Sequence, residues 1–333
     1  MRNEDNIPVI SSRIRLARNI KQYPFPMMLS EEDGTKVIDE VSNVFKYQDT
    51  FSDYNINVLS EMNLLNKQEL VEKHLMSPSL LNDCNKGALI VSPNKEISIM
   101  INEEDHIRIQ CIKNGFQLEE AFQIAGQVDD VLESKLEYVF DEKLGFLTSC
   151  LTNVGTGLRA SVMMHLPGLR MVGELKNIIQ TIAKIGLTVR GVYGEGSEAL
   201  GNMFQISNQV TLGVSEAEVI KAVKNIICQI IEKENRARKL LLNKDRIFFE
   251  DKIYRSYGLL KNARILSYKE SMKLLSDVIL GVDVGLVTET NAKTLQHMIQ
   301  CVQPASLQIL YGKDLDERER NIKRAELVGD LIR

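Results

Sequence analysis

Short runs rich in β-forming residues occur in the first two thirds of the chain, and the run at 106–112 also alternates apolar with polar residues, which is typical of β-strands. Two such runs, at 87–92 and 96–101, are separated by a Pro-Asn-Lys turn, and a third follows at 106–112. Together they predict an antiparallel meander with one face exposed to water. Further strands are predicted at 146–149, 187–192 and 204–212.

Apolar residues recur at helical spacing elsewhere, and they predict helices near 117–141 and 170–185. After about residue 215 only the helical pattern continues. The predicted helices there are 216–242, 245–258, 268–277, 291–301 and 316–332. We therefore predict an α+β fold, in which an antiparallel sheet flanked by helices (1–244) is followed by a small all-helical domain (245–333). We expect the helical domain to serve in dimerisation or regulation.

Composition narrows the class of protein. The 41 basic and 45 acidic residues give a net charge of −4, which does not favour nucleic acid as a partner. The five cysteines include no Cys-x-x-Cys pair, so neither a disulfide framework nor a zinc site is indicated. The N-terminal residues are polar, and no apolar run approaches the roughly 20 residues that span a bilayer. We expect a reduced, soluble, cytoplasmic protein.

Five arginines and two glutamates in four blocks are the main candidates for chemistry. Clustered guanidinium groups match phosphate oxygens, and carboxylates beside them could hold a cation. This combination indicates phosphoryl transfer from a nucleotide to a cationic acceptor. The blocks are Ser11–Arg15, Asn102–Arg108, Gly155–Arg159 and Arg190–Glu195.

Each block also has an ordinary structural interpretation. Arg13 and Arg15 would project from one face of a strand, roughly 6.6 Å apart, but they could form ordinary surface salt bridges. Arg18 does not share their strand alternation, so it is left out of the predicted site. The acid run 103–105 could be a solvated loop. None of the four histidines stands out by itself from a structural role.

Two glycine-containing segments resemble nucleotide-binding loops but lack their spacing. The segment 150–159 has no Lys-Ser or Lys-Thr after its glycines, so Arg159 is its expected contribution. The segment 194–201 has the wrong glycine spacing for a dinucleotide fingerprint and is predicted to be a loop that closes over substrate. Cys150 could be a buried thiol, or a thiolate stabilised by guanidinium groups.

Taken together, these blocks resemble the ATP:guanido phosphotransferases, the family of creatine and arginine kinases. They resemble more closely its bacterial branch, the protein-arginine kinases. The similar segments are collinear and extend from residue 9 to about 212, and the helical C-terminal third is similar to the bacterial branch as well. The segments are 11–19, 102–108, 148–150, 153–161, 190–195 and 204–208.

The resemblance implies that the arginines hold the phosphates of ATP with Mg²⁺, and that His74 lies near the nucleoside. It implies that Glu195 and Glu104 hold the acceptor guanidinium, with Cys150 as the reactive thiol beside it. No dedicated metal-ligand residues are expected. The residues expected to bind the nucleotide are Ser11, Ser12, Arg13, Ile14, Arg15, His74, Arg108, Arg159, Ala160, Ser161, Val162, Met163, Arg190, Gly191, Val192, Tyr193, Gly194 and Glu195.

A guanidinium group stays protonated far above neutral pH, so at neutral pH it has no free lone pair for attack on phosphorus. Two carboxylates that grip it can orient it and accept its proton as the N–P bond forms. We expect Glu195 to be the base and Glu104 its partner, with Glu103 as a substitute. Alignment and charge neutralisation should supply most of the catalysis.

Kinases of free creatine or arginine carry a helical domain ahead of the Ser-Ser-Arg motif, which begins here at residue 11. We therefore expect the acceptor to be an arginine of a protein. A kinase of free arginine or another small guanidine, and a weakly active adaptor, are the alternatives. The resemblance also implies a homodimer, marking of proteins for a Clp-type unfoldase in a stress response, a small zinc-containing activator and a stress-response repressor. No nucleic-acid or membrane partner is expected.

The sequence differs from the usual pattern of the bacterial protein-arginine kinases at two functionally important positions. Leu151 follows the expected reactive cysteine, where proline is usual. The usual Arg-Asp-x-x-Arg-Ala motif, an activating phosphoarginine pocket, has asparagine in place of aspartate here. The residues expected to form this allosteric pocket are Arg320, Asn321, Arg324 and Ala325.

We predict that loss of this carboxylate weakens or alters activation by phosphoarginine, because a carboxylate could orient the arginines or grip a guanidinium group. Activity titrated with phosphoarginine should therefore differ between the parent and Asn321→Asp. Equal responses of the two proteins would contradict the prediction.

Overall fold

An antiparallel sheet of eight strands organises this computed structural model, which describes residues 8–82, 86–191 and 200–332. The spatial order of the strands is β2-β3-β4-β5-β1-β8-β10-β9, and β6 pairs separately with β7. The strands are β1 (Val9–Arg18), β2 (Asn55–Val58), β3 (Ala88–Val91), β4 (Ile97–Ile101), β5 (Ile107–Asn114), β6 (Phe140–Asp141), β7 (Gly145–Phe146), β8 (Leu158–His165), β9 (Leu187–Arg190) and β10 (Met203–Asn208).

Helices flank the sheet and make up the C-terminal part of the described chain. The predicted α+β class, with a helical C-terminal region, is confirmed. The helices are α1 (Glu31–Lys46), α2 (Leu64–Glu72), α3 (Ser79–Asn82), α4 (Leu118–Glu133), α5 (Pro167–Met171), α6 (Leu175–Lys184), α7 (Glu216–Lys244), α8 (Arg246–Asn262), α9 (Tyr268–Asp283), α10 (Ala292–Cys301), α11 (Pro304–Tyr311) and α12 (Glu317–Ile332).

The two faces of the sheet have different coverings. Alternate residues of β1, such as Ile14 and Leu16, enter an apolar core that α4 and α7 close. Because neighbouring side chains on a strand point in opposite directions, Arg13 and Arg15 lie on the other face. The core therefore fixes which residues of β1 face away from it.

The meander of β3, β4 and β5 is present, but the prediction that one of its faces meets water is wrong. Arg108 is 9% exposed and Gln110 is 2% exposed. The segment after α2 lies over this face, and the Gln110 amide donates to the His74 carbonyl oxygen at 2.7 Å. This part of the polar face is therefore covered by another segment of the chain.

Two helix predictions need correction in their extent. The helix expected at 117–141 ends at Glu133, after which the chain runs extended beside the end of β1; the Val139 amide donates to the Asn19 carbonyl oxygen at 2.8 Å. The helix expected at 170–185 is two helices, α5 and α6, separated near Gly173, which has a φ of 79°. Tertiary pairing and a left-handed glycine therefore override helical spacing.

Smaller differences concern the ends of strands and one short helix. The strand expected at 204–212 ends at Asn208, whose side-chain amide bonds across to β8 and ahead to the Val210 carbonyl oxygen. The run at 146–149 pairs only at its first residue, and the strand expected to begin at 187 ends at Arg190. Helix α11, which begins at Pro304, was not predicted.

A buried charge network joins α9 of the C-terminal region to α7 and α5. Glu234 of α7 accepts from the Gly168 and Leu169 amides and from Arg238 Nε at 2.7 Å. Arg238 also donates to Asp283 of α9 at 2.7 Å. Each buried charge is thereby paired, as burial requires. Among the helices of the described ranges, none has the length and apolar character needed to cross a membrane.

Candidate active site

Two adjoining cavities open on the polar face of the sheet beside β1, β5 and β8. The larger has a volume of about 700 Å³ and is lined by Glu103, Glu104 and Cys150. The smaller, of about 120 Å³, is lined by Arg13 and His74. Both cavities are also lined by Arg15, Arg108, Arg159 and Arg190. The fold thus brings together all five arginines that the sequence singled out, and we call this the arginine basin.

Strand pairing places these arginines side by side. Arg15 of β1 lies opposite Arg159 of β8, while Arg108 comes from β5 on the other side of β1. Arg13 and Arg15 share a face because Ile14 between them enters the core. Three adjacent strands therefore build a positive surface that no single stretch of sequence could form.

The arginine basin is electrostatically unfavourable without an anion. Burial, with repulsion from Arg159 and Arg108, lowers the pKa of Arg13 to about 10. Burial and repulsion from Arg13 also lower the pKa of Arg15. Within the described part of the chain, the buried Nε of Arg15 has no hydrogen-bond partner. Several cationic donors that face a common space in this way fit a polyphosphate.

The acid run at the end of the larger cavity contains two carboxylates that differ in burial and in their hydrogen-bond partners. Glu103 is almost fully buried and accepts from Ser77 at 2.7 Å, from Ser79, and from Arg108 at 2.5 Å. Burial opposes its ionisation, but the Arg108 charge and the two hydroxyls outweigh burial and lower the pKa of Glu103. Glu104 is 42% exposed and is bound to Arg108 at 2.8 Å. Glu104 is therefore the more accessible carboxylate for a ligand.

Sequence reasoning did not single out Ser77 and Ser79, because a hydroxyl beside proline indicates only a turn. Asp105 also has a structural role: it accepts from the Asn19 side chain and the Ser149 amide, each at 2.7 Å. These bonds connect the acid run to the segment that carries Cys150. They are contacts between distant parts of the chain, which spacing does not reveal.

Cys150 lies on the wall of the larger cavity, with its Sγ 3.0 Å from Thr152 Oγ1. The Thr148 hydroxyl donates to the Cys150 carbonyl oxygen at 2.8 Å and so fixes the turn. Leu151, at the position where proline is usual, is 87% exposed. The turn thus forms with leucine at this position.

His74 occupies a strained position at the opposite end of the basin. Its φ is 59°, in the left-handed region that residues other than glycine rarely adopt. Burial, and then the Arg13 charge, lower the pKa of His74 to about 4. The imidazole is therefore neutral at pH 7 and can meet an uncharged part of a ligand.

The remaining predicted nucleotide residues divide between the two sides of the sheet. Ser11 and Met163 line a third cavity beside the basin, and Ser161 accepts from Gln205 at 2.8 Å. Gly191, which follows β9, is buried. Side chains of four others are buried on the core side or against the strand ends, namely Ser12, Ile14, Ala160 and Val162. Four lie outside the described residues, namely Val192, Tyr193, Gly194 and Glu195.

The segment predicted to bind phosphoarginine lies on α12, away from the basin. Arg324 is 1% exposed and donates to the Val302 carbonyl oxygen at 2.6 Å and to Asn321 Oδ1 at 2.7 Å. Burial, and then Arg320, lower the pKa of Arg324 to about 10. Ala325 packs in the helical core. The amide oxygen of Asn321 thus orients Arg324 without a carboxylate, and the phosphoarginine role stays a prediction.

Within the described ranges, no group of three or more His, Cys, Asp or Glu residues is placed to hold a metal ion.

Models of known families match this chain over most of its length. The model "ATP:guanido phosphotransferase, C-terminal catalytic domain" matches residues 36–237. The model "Protein-arginine kinase McsB C-terminal domain" matches residues 246–333.

Two curated relatives are named protein-arginine kinase. The one from Caldanaerobacter subterraneus subsp. tengcongensis is 46% identical over 333 residues, which is 98% of each chain. The one from Clostridium kluyveri is 48% identical over 325 residues, covering 97% of this chain and 94% of the relative.

Solved structures share the fold of part of the chain. The substrate-free duplicated taurocyamine kinase of Schistosoma mansoni has a TM-score of 0.60 and 26% identity, covering 70% of this chain and 34% of that chain. Lombricine kinase has a TM-score of 0.60 and 25% identity, covering 68% and 66%. The match thus spans about a third of the duplicated kinase and just under two thirds of lombricine kinase.

The repulsion in the basin predicts the effect of Arg15→Met. Removing one positive charge should raise the free energy of unfolding of the ligand-free protein by about 0.5–2 kcal/mol. It should weaken binding of inorganic tripolyphosphate roughly tenfold or more, because a charged hydrogen-bond donor is lost. Chemical denaturation and calorimetry measure the two quantities. Arg255→Met, at an exposed position of α8, is the control and should change neither; a destabilised Arg15→Met would contradict the prediction.

Proposed function

This chain belongs to the ATP:guanido phosphotransferase family, and from that premise we propose that it is a protein-arginine kinase. It transfers the γ-phosphoryl group of ATP to guanidinium groups of arginine residues in proteins. The family membership and the names of the curated relatives support this activity. The match of residues 246–333 to a domain of protein-arginine kinases supports it further.

The observation that carries the proposal is the position of the arginine basin against the acid run. Arg15, Arg108, Arg159 and Arg190 line the same cavity as Glu104. The arginines suit phosphate groups, and an accessible carboxylate suits a guanidinium group. A phosphoryl donor and a cationic acceptor can therefore meet within one cavity.

The reaction forms a bond between the acceptor nitrogen and the γ-phosphorus, and it breaks the bond from that phosphorus to the β–γ bridging oxygen. ADP leaves with the electron pair of the broken bond, and the acceptor guanidinium loses one proton to a carboxylate. The basin neutralises phosphate charge and aligns the phosphoryl group with the acceptor nitrogen. Mg²⁺ that enters with ATP supplies further neutralisation of the phosphates.

The roles of individual residues are part of the proposal. Glu195 accepts the proton, and Glu104 holds the other side of the guanidinium group. Glu103 is engaged by two serines and Arg108, which favours Glu104 over Glu103 as the contact. Cys150 lines the same cavity as Glu104 and lies against the acceptor.

A small guanidine is the second candidate acceptor. Two proteins that share this fold are named for kinases of taurocyamine and lombricine. The larger cavity, of about 700 Å³, could admit a free guanidine compound as well as a side chain. The acceptor must therefore be tested directly.

The wider role that we propose follows from the resemblance. Arginine-phosphorylated proteins would be delivered to a Clp-type unfoldase in a stress response in the cytoplasm. A small zinc-containing activator and a stress-response repressor are the proposed partners, and the protein would act as a homodimer that phosphoarginine regulates at α12.

We expect acid-labile phosphate on protein when the purified chain is incubated with Mg·ATP and a loosely folded arginine-rich protein. Free arginine in a parallel reaction should remain unlabelled. Label on free arginine would assign the enzyme to the small-guanidine kinases. No label on either, with or without added phosphoarginine, would favour a missing activator or the adaptor role.

Glu195→Gln should lower the rate of transfer by about 10²–10⁴-fold, because the amide cannot accept the proton. The affinity for ATP should be largely unchanged, since the phosphates bind to the arginines. Rates with a protein acceptor and calorimetric titration with ATP measure both. Glu142→Gln, at an exposed position, is the control. Loss of ATP affinity together with activity would place Glu195 in the nucleotide site instead.

A further inference from the structure

A third cavity, of about 390 Å³, adjoins the arginine basin at the end away from the acid run. It shares Arg13, His74 and Gln205 with the smaller cavity of the basin. Its floor is the sheet, and helices α9 and α10 of the C-terminal region line its other side. The C-terminal helices therefore border the same continuous space as the arginines.

Strand β1 shows that the three cavities follow one another along a line. Ala17 and Arg15 line the large cavity, Arg15 and Arg13 the small one, and Arg13 and Ser11 the third. At about 3.3 Å per residue, Ala17 and Ser11 are about 20 Å apart. The line thus extends well beyond the arginines themselves.

The two neighbouring strands have the same order. On β5, Arg108 lines the large and small cavities, Gln110 the small one, and Ile112 the third. On β8, Arg159 lines the first two cavities and Met163 the third. A linear ligand that follows this line, with its transferred phosphate beside Glu104, directs its other end into the third cavity.

The walls of the third cavity differ chemically from the basin. Apolar side chains from the sheet and α9, such as Met163, Met203 and Met272, line it. Polar and charged side chains from α10 and from the segment around His74 line it as well, namely Lys293, Gln296, Gln300, Glu72 and Lys73. Apolar walls with a few hydrogen-bonding groups suit a base and ribose better than they suit phosphate. The strongly positive basin is thus followed by a more apolar cavity.

We propose that helix α10 forms one wall of the nucleoside site for ATP, with Gln296, His297 and Gln300 as contact residues. The inference rests on the proposed function, and it assigns part of nucleotide recognition to the C-terminal helical region. The phosphates lie on the sheet, while the nucleoside is enclosed between the sheet and α10.

Contacts at the end of α10 hold this wall against the sheet side of the site. The Glu72 carboxylate, two residues before His74, accepts from the Ala305 and Ser306 amides, each at 2.7 Å. Gln303 donates to the Glu72 carbonyl oxygen at 3.0 Å. These bonds tie the segment that carries His74 to the residues that directly follow α10. The two sides of the cavity are therefore held in a fixed position relative to each other.

The test compares ATP with inorganic tripolyphosphate, which has no nucleoside. Calorimetric titrations would be made with the parent, with His297→Ala and with the double variant Gln296→Ala/Gln300→Ala. Each variant should weaken ATP binding, roughly tenfold for the double variant, through loss of hydrogen bonds. Tripolyphosphate affinity should be unchanged. Gln229→Ala, at an exposed position of α7, is the matched control and should change neither affinity.

The outcomes separate this inference from the proposed function. If the parent binds ATP, Arg15→Met weakens both ligands and the α10 variants change neither, the wall assignment is wrong while the kinase proposal stands. If the α10 variants weaken both ligands equally, they disturb the fold or the phosphate site, and the assignment is again wrong. If the parent transfers no phosphate from ATP to any guanidine, the proposed function fails first.

Discussion

The mutual repulsion of guanidinium groups on one face of the sheet is the constraint on which the site depends. Arg13 and Arg15 are held beside Arg159 and Arg108 although burial and like charge lower the pKa of the first two. The apolar side of the same strands offsets this cost, because Ile14 and its neighbours enter a large core. A stable core thus maintains a surface that is poised for a polyanion.

The two ends of the site differ in charge, because the acid run 103–105 lies at one end and His74 at the other. At one end Glu103 is fixed by hydroxyls and Arg108, which leaves Glu104 more exposed. At the other end His74 is neutral and adjoins apolar walls. The site therefore changes along the sheet from acidic, through strongly basic, to more apolar, an order that suits an acceptor guanidinium, a triphosphate and a nucleoside.

The C-terminal helices make buried polar contacts with the part of the chain that carries the sheet. Glu234 of α7 accepts hydrogen bonds from two amides of α5, and Arg238 of α7 forms a buried ion pair with Asp283 of α9. Glu72 connects α2 to α11. Removing one partner from such a network leaves a buried charge unpaired, which strongly favours a single arrangement. The segment that carries His74 and the C-terminal helices are therefore held together by direct contacts.

The sequence by itself determined the α+β class, the helical C-terminal region and the family, because strand alternation, helical spacing and long collinear motifs are local properties of the chain. It also identified the five arginines by residue type. Only the tertiary structure decided that β1 lies between β5 and β8, which places Arg108 and Arg159 on either side of Arg15. The covering of the polar face, the support of Glu103 by Ser77 and the position of α10 likewise arise from contacts between residues far apart in sequence, and local pattern contains no information about which distant segments meet.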